Sequence, residues 1–176
     1  MKIYLDACCL SRLTDDQSQP RVRGEAEAVE NILRMVRQES VIWISSSVLS
    51  LEISRNPDTE RRRGAEALLT FAHEIFIPGR IEFSIHFRQE SLFTSRRNPY
   101  SHRSVTIIHM SRNPHQRIER LGITSFDALH LASADQSGAD VFLTTDDNLL
   151  RRAGRGRGLL RIRAQNPVSW LREVQS

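Results

Sequence analysis

The chain has 176 residues, 39% hydrophobic and 26% charged, enough for one α/β domain with a real core and a charged, soluble exterior. No run approaches the roughly 20 apolar residues of a membrane span. The opening MKIYLDACCL puts a carboxylate where a secretory signal needs an apolar stretch, so neither a membrane partner nor export is expected, and the location follows as cytoplasmic. The net charge of +4 rests on arginine, since all but Lys2 of the 25 basic residues are Arg. Guanidinium forks suit phosphate and stack on bases, which admits a nucleic-acid partner.

In chain order, Lys2–Leu5 is an apolar run that ends in Asp6, a first strand. The adjacent Cys8 and Cys9 are poorly placed to bridge each other and have no second pair with which to hold zinc. Ser18, Gln19 and Pro20 start a long helix, in which Val22, Ala26, Val29, Ile32, Leu33 and Val36 recur at helical spacing to about Arg37. Val41–Ile44 is a second buried strand. Ser45, Ser46 and Ser47 offer caps for a short helix through Leu49, Glu52 and Ile53, which Asn56-Pro57 ends. Asp58 caps another helix with Ala65, Leu68, Leu69 and Ala72 on its apolar face.

Beyond Phe76 the pattern weakens. Ile81–Phe87 alternates like a strand, Val105–Met110 is a second β-like run, and the stretch between is polar and basic. Residues of about 80–115 read as an atypical insertion or arm, and the histidines from His86 to His115 lack paired zinc spacing. Gln116–Leu121 is a short helix closed by Gly122. Thr124-Ser125 caps the next helix, whose inner face carries Phe126, Leu129, Ala132 and Ser133, and Gly138 ends it. Val141–Leu143 is a third strand, and Asp146 opens a short helix through Leu149 and Leu150. Arg151–Gly158 reads as a basic loop, Leu159–Ile162 as a last strand, and Asn166-Pro167 as the start of a closing helix. Strands alternating with helices predict a single α/β domain over 1–176, with a mostly parallel sheet covered on both sides.

Asp6, Asp127 and Asp146 fall where strand ends meet helix starts, the edge on which open α/β sheets bind ligands; Glu52 joins them if its helix leans across. At about 4 Å each like-charged pair costs about 4 kcal/mol at an effective dielectric near 20. A divalent cation relieves this, and oxygen ligands suit Mg²⁺ or Mn²⁺, ions that activate water and phosphodiesters for hydrolysis. Arg55, three residues after Glu52, reads as its surface partner, with the alternative of meeting the phosphate. His130, three residues after Asp127, reads as a packed or capping histidine.

YLDACCLSR, SSVLSLEISRNP, TSFDALHLASA and DVFLTTDDNLL resemble the four acidic motifs of the PIN domain family, in order. The likeness reaches from residue 1 to about 75 and from about 116 to the C-terminus; residues of about 80–115 depart from it. It implies a three-layer α/β/α sandwich and a Mg²⁺- or Mn²⁺-dependent ribonuclease, with Asp6, Glu52, Asp127 and Asp146 as metal and catalytic residues. Ser11 and Thr144 would support them, with Asp147 as an extra acid that binds water or caps the helix. Many bacterial relatives are toxins restrained by a small antitoxin, so RNA, an antitoxin and a second copy are the expected partners. The alternative is a non-catalytic RNA- or protein-binding module on the same fold. A haloacid-dehalogenase-type phosphohydrolase is disfavoured because Cys8 stands where its second Asp belongs, and a dinucleotide enzyme because no G-x-G-x-x-G follows the first strand.

Overall fold

In the computed structural model, the residues described are 1–78, 105–108, 118–119, 121–156, 158 and 160–176. Six strands form one sheet: β1 (Lys2–Leu5), β2 (Ile42–Ser46), β3 (Glu74–Pro78), β4 (Val105–Ile108), β5 (Val141–Leu143) and β6 (Arg163–Gln165). Their order is β4-β3-β2-β1-β5-β6, and every adjacent pair is parallel. The expectation of a mostly parallel sheet is thus met in full. A strand covered on both faces needs apolar residues at successive positions. Ile3, Tyr4 and Leu5 have no exposure at all, nor do Phe142 and Leu143 beside them.

Seven helices are described: α1 (Ala7–Ser11), α2 (Pro20–Arg37), α3 (Ser47–Ser54), α4 (Thr59–Leu69), α5 (Ser125–Gln136), α6 (Asp147–Arg155) and α7 (Pro167–Gln175). They fall into two packed groups flanking the sheet, consistent with a three-layer arrangement. α2 packs on α7, whereas α3 packs on α4 and α5, and α5 lies on β2, β3 and β5. The caps follow the local sequence: Pro20 opens α2, and Ser46, Asp58, Thr124, Asp146 and Asn166 each accept backbone N–H groups that would otherwise lack partners.

Several elements differ from expectation. β3 lies in a stretch with no predicted strand, and β4 makes Val105–Ile108 the edge of the main sheet rather than part of a separate arm. The rest of the unusual segment, including Ile81–Phe87 and the histidines His86–His115, lies outside the described residues. The supposed loop from Arg151 is helical to Arg155, because Asp146 caps it and Leu149 and Ala153 give it a buried face. The last strand is Arg163–Gln165, not Leu159–Ile162; register with β5, pairing Val141 with Arg163, overrides local hydrophobicity on this edge. α5 is buried at every position from Ala128 to Ala134, not along one stripe; it packs on β2, β3 and β5 and against α3, which itself lies on β2 and β3. Among the described residues no helix is long and apolar enough to cross a membrane.

The topology fixes where a ligand belongs. From β1 the chain moves to β2, and later returns to lay β5 on the other flank of β1. The crevice beyond the carboxyl ends of β1 and β5 is therefore the switch point of the sheet.

Candidate metal centre

Asp6 is the first residue past β1. Its N–H continues the ladder to the Leu143 carbonyl at 3.0 Å, which anchors the backbone at the switch point. Its Oδ1 accepts the Ala7 N–H at 2.8 Å, and its Oδ2 accepts the Thr144 hydroxyl at 2.8 Å and the Cys8 thiol at 3.0 Å. The side chain is fixed, although the residue is only 6% exposed and carries a charge. Thr144, fully buried past β5, thus holds one oxygen of Asp6. Cys9 is buried and Cys8 partly so; both are free thiols, as the sequence implied.

Glu52 arrives from α3. The Ser46 hydroxyl caps that helix by accepting from Leu49 N–H at 3.2 Å, and α3 leans on α5. The contact brings Glu52 Oε2 within 2.7 Å of His130 Nε2. One ligand atom each from Asp6, Glu52 and His130 lies within 4.8 Å of the others. Despite the 2.7 Å approach, neither Oε2 nor Nε2 has an aligned hydrogen-bond partner, and both atoms are buried. Burial disfavours the imidazolium, but contact with Glu52 and the fields of Asp6 and Asp127 outweigh it and hold the His130 pKa above the ordinary histidine value.

Asp127, in the first turn of α5, is half-buried, and Thr124 Oγ1 donates to its Oδ2 at 2.6 Å. Burial pushes its carboxyl above the usual range, and Asp6 and Asp146 push it further; Thr124 and His130 pull the other way. Asp127 thus lies within the field of two other acids. Asp146 is exposed and caps α6 with Oδ1, which accepts from Asn148 N–H at 2.7 Å and Leu149 N–H at 3.2 Å. Its own N–H donates to Thr144 Oγ1 at 3.2 Å, so one hydroxyl ties Asp6 to Asp146.

The structure therefore brings Asp6 and Glu52 into one cluster with His130, whereas Asp127 and Asp146 stand outside that group, Asp146 linked to Asp6 through Thr144 Oγ1 and Asp127 within the field of both acids. Asp147 does not join them. Arg21 holds it with two bonds, at 2.7 and 2.8 Å, and Asp146 alone caps the helix. Ser11, Arg55 and Glu52 line a cavity of about 230 Å³ together with Asn56 and Arg61. The Arg55 guanidinium stands over the Phe126 ring, 5.6 Å from its centre.

No family model, curated protein or solved structure matches the chain. The site is read from its own geometry.

That geometry fits a divalent cation. Carboxylates remote in sequence converge, and two buried polar atoms, Glu52 Oε2 and His130 Nε2, meet at 2.7 Å as an ion pair whose hydrogen bond is poorly aligned. A cation bound beside the pair, within reach of Asp6, would take the lone pairs that this contact leaves poorly directed. The atoms that could hold an ion include a nitrogen as well as the carboxylate oxygens that the acids alone had suggested. His130, expected merely to pack, is buried and also presents Nε2 to the cluster. Its signal was its place three residues after Asp127, on the same helical face.

Proposed function

We propose that the chain is a divalent-metal-dependent endoribonuclease of the PIN type, hydrolysing phosphodiester bonds of single-stranded RNA. One observation carries the reading: Asp6 and Glu52 converge at the switch point of a parallel sheet, with Asp127 in the field of Asp6 and Asp146. Bound there, Mg²⁺ or Mn²⁺ supplies Lewis-acid activation of the scissile phosphate and of water. Asp6, fixed by Thr144, offers an oxygen to the ion, and Glu52 completes the site while orienting the attacking water. Asp127 and Asp146 widen the cluster toward solvent and take the remaining ligand positions, directly or through water. The adjoining cavity, with Arg55, Arg61 and Asn56 on its wall, gives the RNA backbone cationic contacts beside the reacting phosphate.

The same resemblance to toxin-type relatives makes a small antitoxin protein and a second copy of the chain the partners to seek. The test is incubation of the pure protein with single-stranded RNAs, with and without Mn²⁺, beside Asp6→Asn and Asp127→Asn. Cleavage should require the metal and vanish in both variants, while circular dichroism shows the fold intact. Full metal-dependent activity in both variants would refute the assignment. Salt-sensitive RNA binding without Mn²⁺ affinity or cleavage would favour a non-catalytic binding module instead.

A further inference from the structure

The cluster contains one group that hydrolysis by carboxylates alone does not call for. His130 is 1% exposed, on the inner face of α5, and its ring is held from behind. Nδ1 lies 2.9 Å from the Tyr4 hydroxyl, and that hydroxyl lies 2.6 Å from Ser46 Oγ. Ser46 Oγ also accepts the Leu49 N–H at 3.2 Å, which occupies one lone pair and leaves the other for the Tyr4 hydroxyl. Tyr4 also stacks on Phe142, with ring centres 5.5 Å apart, and therefore cannot swing away.

When Tyr4 donates to Ser46, its oxygen accepts Nδ1–H from His130. The Nε2 lone pair then points at Glu52 Oε2, 2.7 Å away. Two lone pairs at that distance repel unless a positive charge lies with them. A proton on Nε2 is one such charge, but its N–H is not aligned on Oε2. A metal ion is the other, and Asp6 supplies a third donor atom within 4.8 Å of both. An imidazole whose far nitrogen is anchored to a buried partner is also the usual arrangement of a metal-binding histidine.

We propose that His130 Nε2 is a direct ligand of the metal, completing a two-carboxylate, one-imidazole site with Asp6 and Glu52 that selects a first-row transition ion over Mg²⁺. This rests on the reading of the cluster as a metal centre. A nitrogen donor favours first-row ions such as Fe²⁺ or Co²⁺, with Mn²⁺ the weakest of that series, whereas Mg²⁺ keeps to oxygen and water and gains little from imidazole. Mn²⁺ should accordingly bind at least about tenfold more tightly than Mg²⁺. His130→Gln should erase most of that preference by weakening Mn²⁺ while leaving Mg²⁺ nearly unchanged.

The deciding experiment is pulsed electron paramagnetic resonance of the full chain loaded with Mn²⁺, with RNA cleavage followed in parallel. A ¹⁴N coupling to the ion that changes to the ¹⁵N pattern on labelling histidine alone is the expected result, and it needs no variant. Mn²⁺ bound without nitrogen coupling would overturn the inference while leaving a carboxylate metal centre and its nuclease reading standing. Failure of Mn²⁺ to bind at all would overturn both. Loss of the coupling in a folded His130→Gln, against its persistence in a His73→Gln control changed outside the cluster, would assign the nitrogen to His130; persistence of the coupling in His130→Gln would reject it.

Discussion

Thr144→Val removes one oxygen and almost no volume, at a residue with no exposure. The wild-type hydroxyl donates to Asp6 Oδ2 at 2.8 Å and accepts the Asp146 N–H at 3.2 Å. A hydrogen bond to a charged group contributes about 1.5–3 kcal/mol, and the buried site offers no water to replace it. The Asp146 N–H, near the surface, can turn to solvent and adds less. A loss of about 2–3 kcal/mol lowers the melting temperature by about 4–12 °C, at about 2–4 °C per kcal/mol for a chain of this size. Freed from Thr144, Asp6 keeps the Ala7 N–H and the Cys8 thiol but loses its fixed orientation, so Mn²⁺ affinity should fall about 10–100-fold. Thermal unfolding by circular dichroism and calorimetric Mn²⁺ titration read both effects, and Thr144→Ser should recover most of each. A valine variant that melts and binds like wild type would show that Asp6 needs no holder, and the proposed link between the two strand ends would fall.

Other consequences follow from the same contacts. The metal-free protein should lose stability as pH rises past 6.5 and through the higher pKa of His130. A group whose folded pKa is raised contributes fully below its unfolded value and loses that contribution above its folded one; a melting profile that His130→Gln leaves equally pH-dependent would contradict this. Asp147→Asn should leave Mn²⁺ affinity within about twofold, because Arg21 rather than the cluster holds that carboxylate; a tenfold loss would return Asp147 to the site. Glu25, 1% exposed, accepts from Arg12 Nε at 2.7 Å, Arg21 Nε at 3.0 Å and Asn166 Nδ2 at 3.0 Å, tying α2 to the end of α1 and the start of α7. Glu25→Ala should cost about 2 kcal/mol in urea unfolding, less than a wholly buried pair because both arginines reach solvent; no measurable cost would mark the network as ornamental.

Much of the fold is legible where side-chain chemistry and local geometry agree. α2 announces itself by Pro20 at its start and by apolar residues spaced three and four apart, and Asn166-Pro167 does the same for α7. β1 and β5 are short but continuously apolar, as strands covered on both faces must be. Where pairing partners decide, the sequence says less. β6 is largely polar, begins directly after the apolar run that ends at Ile162, and is a strand because β5 offers it an edge. β3 follows His73, opens on Glu74 and closes on Pro78, features that obscure it in the local sequence. The site divides in the same way. Asp6 and Asp146 are visible as acids at strand ends, and Glu52 joins them only through the packing of α3 on α5. Asp147, adjacent to Asp146, looks equivalent in sequence; α2 places Arg21 against it and takes it out of the cluster. His130 reads as a packed residue, which its burial fits, while its approach to Glu52 depends on two helices meeting.

The most direct test of the central claim is an anomalous diffraction map from crystals soaked in Mn²⁺. A peak bounded by Asp6, Glu52 and His130, with Asp127 and Asp146 on its open side, is the predicted result. A map without density there at saturating Mn²⁺, or with the ion bound only at another surface, would contradict the account.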